Sequence, residues 1–421
     1  MYRSSRSGSP ISFTGIREDL RIDQNGIRSA AEIHRRLDFM THGKPLKGLM
    51  VFEIGHSVAA PFAGLIFSDL GAEVIKVENP KTGDHARGWG PPFWQGAAAA
   101  FHTFNRGKKD LAIDFSDPAS VAALREAIVT RADVVIQNLR FGVVERYKLG
   151  AESLREERPD LIYCNLSAFG ETGPLADKPG YDPLMQAFAG LMSVTGEGHN
   201  RSPVRVGVSL VDMGAGMWSV IGILASLIER AQSKRGAVVS TSLYETALTW
   251  MSIPMAGYQA SGKIPRAYGS GVAEIVPYQC FMTRDGWLMI AAGNDGLYRK
   301  LCAVLNHPEW ATDDRFLRNG DRVANRDILI PMLEQAIRGE PMEELMARLD
   351  AVGIPNAPIQ TVDAVAAHPQ TAALDIIRKG PEGSLPVVGL PISFDGGRPA
   401  FGWPTPALGE HTSLLQKKMA D

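Results

Sequence analysis

The chain has 421 residues, of which 45% are hydrophobic and 21% are charged, and its formal net charge is −2. A chain of this length exceeds one compact core, because domains commonly hold about 100–200 residues, and its composition is that of a globular protein. The near-zero net charge argues against extended binding to nucleic acid or to an anionic membrane and favours a small-molecule partner.

The cysteines and the N-terminus bear on the cellular compartment. Cys164, Cys280 and Cys302 lie far apart without C-x-x-C spacing, which fits a reducing cytoplasm. The N-terminal "MYRSSRSGSP" is polar and precedes no apolar run, so no secretory signal is predicted. The longest apolar run, Met213 to Ile228, is shorter than the about 20 residues that span a bilayer, and we predict a buried helix there.

Taken in chain order, residues 1–44 are polar and rich in Arg and Ser, which predicts an N-terminal extension. From Leu46 the pattern becomes regular, with a strand in "GLMVFEIG", a helix in "APFAGLIFSDLGA" and a strand in "EVIKVE". Strands and helices keep alternating through "DVVIQN", "LIYCNLS" and "GAVVSTSL". This alternation predicts an α/β fold with a mostly parallel sheet covered on both faces.

The composition changes after the predicted helix "YETALTWMSIPMAGYQA". A Gly-, Pro- and Ser-rich linker around "SGKIPRAYGSGVAE" is followed by the short strands "YQCFMT" and "GWLMIAAG" and then by helices, as in a small α+β domain. The tail "LPVVGLPISFDGG" is again typical of strands. We therefore predict a large domain from 45–260, a linker and small domain from 261–365, and a return to the large domain from 366–421.

Asp212 is the only charged residue between Arg205 and Glu229, and it precedes an apolar helical pattern. One interpretation is a helix N-cap, a position that Asp favours. The other is a functional carboxylate, which the helix N-terminus would keep ionised. The two interpretations are compatible, and Gly214 and Gly216 would leave room for a substrate to approach the backbone.

Two basic segments flank predicted strands, and their cations are Arg106, Lys108, Lys109, Arg140, Arg146 and Lys148. They are either solvated turns or a phosphate-binding rim at the carboxyl ends of parallel strands. No G-x-x-x-x-G-K-[ST] or G-x-G-x-x-G sequence is present, so nucleoside triphosphate and dinucleotide sites lack support. The histidines show no H-x-x-x-H or similar spacing, so a metal site lacks support. No G-x-S-x-G sequence is present, so serine hydrolysis also lacks support.

Two further segments have both a structural and a functional interpretation. In "KPGYDPLMQAFAGLM", Asp182 is a predicted helix cap with Pro183 in the first turn, while Tyr181 lacks an equally simple structural role. The loop "AYGSGVAEIVPYQCF" carries the isolated Glu274 into an apolar strand and is either an interdomain linker or part of a site.

The ordered segments "GHSVAAPFAGLIFSDLGAEVIKVENPKTGD", "ADVVIQNLRFGVVERYKLG", "GYDPLMQAFAGLMSVTG" and "VGVSLVDMGAGM" resemble the family III CoA-transferases. That family includes formyl-CoA transferase, carnitine CoA-transferase and the related 2-methylacyl-CoA racemases. The resemblance runs from about Leu46 to the C-terminus. It implies a Rossmann-like large domain, a small domain inserted in it, and a homodimer of two chains threaded as interlocked rings.

The resemblance also implies residue roles. Asp212 matches the nucleophile that forms a mixed anhydride and then an aspartyl-CoA thioester, with acyl-CoA as substrate, a carboxylic acid as second substrate and no permanently bound cofactor. The CoA-contacting positions of the family fall at Ala59, Ile113, Asp114, Phe115, Asn138, Leu139, Arg140, Arg146, and from Lys178 to Tyr181. Arginine at positions 140 and 146 suits phosphate pairing.

Several positions depart from formyl-CoA transferase and predict an acid larger or less charged than oxalate. Val58, Asn79 and Ser116 stand where that enzyme has glutamine, arginine and lysine, and its glycine-rich loop aligns near "VAEIV" at 272–276. Succinyl-CoA as donor and a dicarboxylate or branched acid as acceptor follow only from the family.

Tyr181 separates the branches of the family. The racemases resemble "G-H-D" where this chain has "GYD", and a tyrosine hydroxyl, with an ordinary pKa of about 10, is a poor base for an α-proton. Transfer is therefore favoured, with a racemase or epimerase and a non-catalytic acyl-CoA-binding protein as alternatives.

Overall fold

A computed structural model describes residues 44–198, 201–402 and 404–415. The predicted N-terminal extension lies outside the described residues except for Lys44. The strands are β1 Met50–Ile54, β2 Glu73–Glu78, β3 Phe93–Trp94, β4 Ala97–Ala98, β5 Lys109–Ala112, β6 Val134–Gln137, β7 Ile162–Ser167, β8 Val238–Ser242, β9 Tyr278–Met282, β10 Trp287–Ala291, β11 Asn356–Pro358, β12 Ile377–Arg378 and β13 Val387–Val388.

The α-helices are numbered in chain order in the same way. They are α1 Ala59–Asp69, α2 Ala99–Asn105, α3 Pro118–Arg131, α4 Val143–Arg146, α5 Ala151–Glu157, α6 Asp182–Phe188, α7 Leu191–Val194, α8 Leu210–Ser233, α9 Leu243–Trp250, α10 Ser252–Ser261, α11 Asp295–Val304, α12 Asn319–Ala324, α13 Arg326–Arg338, α14 Met342–Ala351, α15 Val362–Ala367 and α16 Pro369–Ala373. Short 3-10 helices lie at His85–Gly88, Pro308–Ala311 and Thr412–Leu415.

A six-stranded sheet forms the centre of the described chain, in the order β5-β2-β1-β6-β7-β8. Each neighbouring pair in it is parallel. Val51 pairs with Val74 on one side and with Val134 on the other, so β1 lies in the middle of the sheet. The prediction of an α/β fold with a mostly parallel sheet is confirmed.

Helices cover both faces of this sheet because successive strand residues point to opposite sides. Val51 packs with Ala63 and Phe67 of α1 in a core that also includes Ile223 of α8. Phe52, the next residue along β1, lies in the opposite core. Both faces are therefore buried, which explains the nearly continuous apolar sequence of β1.

A separate core lies beyond the linker, around the antiparallel sheet β11-β10-β9. Phe281 and Leu288 of this sheet pack with Leu301 of α11 and Leu333 of α13. The strands and helices expected within the predicted small domain are present there as β9, β10, α11, α13 and α14. The domain boundaries given above stay a prediction.

Two predicted elements differ from the structure. The single helix expected over "YETALTWMSIPMAGYQA" is two helices, α9 and α10, which meet at Met251. The strand-like tail forms only the two-residue strand β13, which pairs with β12. Its prolines and glycines limit regular pairing there.

The helix α8 has 24 residues and is longer than the apolar run that predicted it. By length and composition alone it could cross a membrane, although core helices pass the same test. Val211, Ala215 and Ile223 are buried, whereas Ile221 and Ile228 are exposed in the single chain. The predicted buried helix is therefore only half buried in this chain.

Candidate active site

A cleft of about 300 Å³ lies at the carboxyl ends of the central strands. Its walls are the loops after β1, β6 and β7, and Asp212 of α8. In the sheet, successive strands are added outward from β1 through β2 to β5 on one side, and from β6 through β7 to β8 on the other. The cleft therefore lies where the strand order reverses, which is the usual ligand site of open α/β sheets.

Asp212 lies in the first turn of α8, two residues inside the helix. The predicted N-cap role is wrong, because Ser209 occupies the cap position and makes no side-chain cap hydrogen bond. The Asp212 side chain instead borders the cleft. The helix thus places Asp212 at the cleft, and another residue satisfies the backbone of its first turn.

That residue is Asp182, which is 2% exposed. Its Oδ2 accepts hydrogen bonds from the backbone N–H groups of Val211 at 2.7 Å and Asp212 at 3.2 Å. Gln186 donates to Asp182 Oδ1 at 2.5 Å and accepts from the N–H of Val206 at 2.8 Å. Asp182 was predicted to cap its own helix, but it is the first residue of α6 and caps α8 from outside.

Burial, and after it the nearby charge of Asp182, raises the pKa of Asp212 to about 7. The helix N-terminus was expected to keep Asp212 ionised, but the pKa is raised and not lowered. Asp182 already uses the N–H groups that would have stabilised the Asp212 anion, and it adds a negative charge beside it.

Gly214 and Gly216 were expected to make room for a substrate, but they make room for neighbouring elements. A Cβ at Gly214 would lie 2.8 Å from Thr246 and 2.9 Å from Trp250, and one at Gly216 would lie 2.7 Å from the carbonyl oxygen of Ala59. These glycines let α8 approach α9 and the start of α1 closely.

The loop between β1 and α1 is fixed on two sides. Asn138, just after β6, accepts from the N–H of His56 and donates to its carbonyl oxygen, each at 3.0 Å. Ser57 has a φ of 70°, an uncommon backbone conformation for serine, and its N–H donates to Asp84 at 2.9 Å. The loop that borders the cleft is therefore held by side chains from two other segments.

The basic segment before β5 does not form the predicted phosphate rim. Arg106 is buried and pairs with Asp69 at 2.5 Å. Lys108 is also buried and pairs with Glu53 at 2.7 Å, while Lys109 pairs with Glu73. These cations hold the sheet and helices together, because a buried charge needs a partner.

The structure brings together some of the predicted CoA-contacting residues. Those that border the cleft with Asp212 are Ala59, Asn138, Leu139, Arg140, Lys178 and Tyr181. Tyr181 is 51% exposed and occupies the N-cap position of α6.

Four predicted CoA contacts lie outside the lining of this cleft. Ile113 is buried in a core, and Phe115 stacks on Tyr147 at 5.1 Å between ring centroids. Asp114 accepts hydrogen bonds from Ser116, and Arg146 donates to the carbonyl oxygen of Gly142. Their roles toward CoA stay a prediction.

The predicted loop near the small sheet also lies outside this cleft. The carbonyl oxygen of Glu274 accepts from Asn319, and those of Val272 and Ala273 accept from Arg326. The Glu274 segment precedes β9 and is not part of a strand.

Sequence reasoning missed other residues of the cleft, among them His56, His85 and a row of amide side chains. In that row Gln137 donates to Asn165 at 2.8 Å, and Asn165 donates to Glu171 at 2.7 Å. Gln137 is the last residue of β6, and Asn165 lies two residues before the end of β7. Their position at the carboxyl ends of parallel strands was a usable signal.

Metal ligation has no support in the part of the chain that the structure describes. Within those ranges no three His, Cys, Asp or Glu side chains are grouped so that they could hold a metal ion.

Comparison with known proteins agrees with this geometry. The profile of CoA-transferase family III matches residues 46–412. The succinate–glutarate CoA-transferase of Agrobacterium fabrum (strain C58 / ATCC 33970) is 36% identical over 387 residues, which cover 90% of this chain and 96% of that protein. The Homo sapiens succinyl-CoA:glutarate CoA-transferase is 32% identical, covering 90% of this chain and 87% of its own.

A solved structure gives the same result. The crystal structure of a CAIB/BAIF family protein from Brucella suis is 38% identical, with a TM-score of 0.79, and the match covers 89% of this chain and 99% of that one. The chain therefore belongs to CoA-transferase family III and is an enzyme that transfers CoA.

Proposed function

We propose that this enzyme moves CoA from an acyl-CoA donor to a carboxylic acid with Asp212 as the covalent nucleophile. The observation that carries the proposal is the position of Asp212. It is a carboxyl group on the first turn of a helix, bordering a cleft at the reversal of strand order. A carboxylate in a partly dehydrated site is a nucleophile that needs no separate base.

In the first half of the proposed reaction, a carboxylate oxygen of Asp212 attacks the thioester carbonyl of the donor. The C–S bond breaks, CoA leaves as a thiolate, and Asp212 and the donor acyl group form a mixed anhydride. The thiolate then attacks the Asp212 side-chain carbonyl. This gives an aspartyl-CoA thioester and releases the donor acid as its carboxylate.

The second half repeats these steps in reverse order. The acceptor carboxylate attacks the aspartyl-CoA thioester, which again gives a mixed anhydride and a CoA thiolate. The thiolate attacks the acyl carbonyl of the acceptor and regenerates the Asp212 carboxylate. No net proton transfer is required, and every intermediate is sensitive to water, so exclusion of water from the bound substrate matters more than a general base.

The cations at the cleft support binding of CoA as the polyanionic substrate. Arg140 follows β6, Lys178 lies in the loop after β7, and both border the cleft with Asp212. In this proposal Arg140 pairs with a phosphate through its planar guanidinium and Lys178 acts as a mobile point charge. The reaction as written needs no permanently bound cofactor.

The substrate class is proposed from the relatives. The two similar enzymes named above act with glutarate and with succinate or succinyl-CoA. We take succinyl-CoA as the donor to test first and a dicarboxylic acid of four or five carbons as the acceptor.

A mass-spectrometric trap tests the covalent step. The protein is incubated with a panel of acyl-CoAs, treated with hydroxylamine and digested, and the peptide that contains Asp212 is examined. We expect a hydroxamate on Asp212 with productive donors and none in the Asp212→Ala variant. An unmodified Asp212 peptide in protein that turns over the same donor would contradict the nucleophile.

The racemase alternative predicts a different observation. Tyr181 occupies the N-cap of α6 beside the cleft, where that alternative needs a second base. Deuterium uptake at the α-carbon of a 2-methylacyl-CoA, lost in Asp212→Ala, would favour racemisation over transfer.

The proposal includes a homodimer in the cytoplasm. Apolar side chains of α8, α9 and α10 are exposed in the single chain, including Ile221, Ile228 and Ile253. Such a surface indicates a partner, and a second copy with interlocked chains follows from the family resemblance. Free cysteines, two of them buried, are consistent with a reducing compartment.

A further inference from the structure

Two histidines face each other at one wall of the cleft. The rings of His56 and His85 are 5.5 Å apart between centroids and nearly perpendicular, and both border the cleft together with Asp212. The Nδ1 of His56 lies 2.9 Å from the hydroxyl oxygen of Ser57. Within the described ranges no hydrogen bond engages its Nε2, which is the ring nitrogen available to a ligand.

One buried carboxylate fixes both histidines. Asp84 Oδ1 accepts from the N–H of Ser57 and from the N–H of Ala86, each at 2.9 Å. These are the residues directly after His56 and His85. Asp84 is 3% exposed and is held by Lys76 at 2.9 Å. The spacing of the histidine pair is therefore set by a rigid support.

Both histidines border the same cleft as Asp212. A Cβ at Gly216 of α8 would lie 2.7 Å from the carbonyl oxygen of Ala59, so the start of α1 approaches α8 closely. Asp212 is four residues before Gly216, so the two lie on the same face of the helix, one turn apart. His56 precedes Ala59 by three residues, in the loop that enters α1, and this loop and the first turn of α8 both contribute to the wall of the cleft.

We propose that His56 and His85 together bind the distal carboxylate of a dicarboxylic acid and thereby determine acid specificity. This inference rests on the proposed function, because it names the substrate class of the same cleft. The transfer steps need no general base, so the histidines are free for recognition. Arg140 and Lys178, which also border the cleft, bind CoA in the proposal.

The charges around the cleft favour this wall. Glu145, Glu171 and Asp177 also border the cleft and would repel a second carboxylate elsewhere. Burial lowers the pKa of His56, and the neighbouring Asp84 opposes that change. A bound carboxylate would raise the pKa again, and a neutral imidazole N–H still donates a hydrogen bond to it.

Steady-state kinetics with matched acceptors test the proposal. His56→Gln, His85→Gln and the double variant are compared with wild type for glutarate and for pentanoate, which has the same chain length and one carboxylate. Donor acyl-CoA is saturating. We expect kcat/KM for glutarate to fall about tenfold or more through KM, with the value for pentanoate nearly unchanged.

Two further variants serve as controls. His85→Lys keeps a hydrogen-bond donor at the exposed position and should retain much of the preference for glutarate. His307→Gln, in the small α+β part, should leave kcat/KM unchanged for both glutarate and pentanoate. His85 is exposed, so its single variant decides the question if the double variant fails to fold.

The outcomes separate this inference from the function on which it rests. Folded variants that keep the wild-type ratio of glutarate to pentanoate would overturn the histidine assignment while leaving transfer intact. A wild-type enzyme that uses both acceptors equally would also overturn it. Wild-type protein that binds CoA but transfers it to no acid would instead overturn the proposed function.

Discussion

At the scale of single residues, the Asp212 carboxyl must be ionised to attack a thioester, yet its pKa is raised to about 7 by burial and by Asp182. An acid with a raised pKa is protonated below that pH, so the nucleophilic form is lost on acidification. We predict that single-turnover cleavage of the donor thioester rises with pH through a midpoint near 7. A rate that is flat between pH 5.5 and 8.5 would contradict this assignment.

The contribution of Asp182 can be separated from that of burial. Asp182→Asn removes the like charge but keeps an oxygen that can accept from the N–H of Val211. We predict that the midpoint of the pH–rate profile moves to lower pH and that the rate above the midpoint falls only modestly. Gln186→Glu serves as a comparison, because it adds a charge next to Asp182 and should not lower the midpoint.

The same raised pKa predicts a pH-dependent stability. Because the folded-state pKa of Asp212 lies above its unfolded value, the folded protein loses stability as pH rises between about 4 and 7. Asp212→Asn avoids this loss. We predict that its free energy of unfolding at pH 8 exceeds that of wild type by about 2–4 kcal/mol, and that the two proteins converge near pH 4. Urea unfolding at both pH values measures the difference.

Sequence reasoning found Asp212 because one carboxylate in an apolar segment stands out. Sequence reasoning could not show that the Asp182 carboxylate accepts a hydrogen bond from the backbone of the first turn of α8, because Asp182 and Val211 are distant in sequence. It also read Arg106 and Lys108 as surface cations, since a buried ion pair and a solvated turn have the same composition. Contacts between distant segments decide such cases.

At the scale of elements, the start of α8 is fixed by its close approach to α1. A methyl group at Gly216 would lie 2.7 Å from the carbonyl oxygen of Ala59, which is backbone and cannot move away cheaply. We predict that Gly216→Ala lowers the free energy of unfolding by about 1–3 kcal/mol and also reduces turnover.

The matched control for that substitution is Gly320→Ala, on α12, where no heavy atom lies within 4 Å of an added Cβ. Its effect on stability should be within about 0.5 kcal/mol of zero. Equal losses in the two variants would show that the α1–α8 contact is not the cause.

The elements themselves were largely predictable. The strands of the central sheet follow from short apolar runs separated by helical patterns, and β1, β2, β6 and β7 lie where these runs predicted them. The division between α9 and α10 had a signal in the sequence, because Pro254 lies three residues after Met251, where a proline commonly marks the end of a helix.

At the scale of the whole molecule, the exposed apolar faces of α8 to α10 predict association. We expect multi-angle light scattering to give a mass near twice the 45.6 kDa of one chain. Ile253→Glu, on a side chain that is 71% exposed, should weaken the association, whereas a charge at exposed Gly320 should not. A stable 45.6 kDa species at micromolar concentration would contradict the proposed dimer.

The threading of two chains is the part of the molecule that periodicity cannot predict. Alternating strands and helices specify a sheet and its layers, but they do not state which chain supplies a neighbouring element. The interlocked homodimer therefore depends on the family resemblance, whereas the predicted domain boundaries follow from changes of composition along the chain.

The ion pairs beneath the cleft also constrain how this sequence can change. Glu53 pairs with both Lys76 and Lys108, and Asp84 pairs with Lys76, all four side chains being fully buried. Loss of Glu53 alone leaves Lys108 without a carboxylate in a place where water cannot compensate. Joint loss of Glu53 and Lys108 leaves Lys76 with Asp84. Positions 53 and 108 should therefore be exchanged together as relatives diverge, while the Lys76–Asp84 pair that supports the histidines persists.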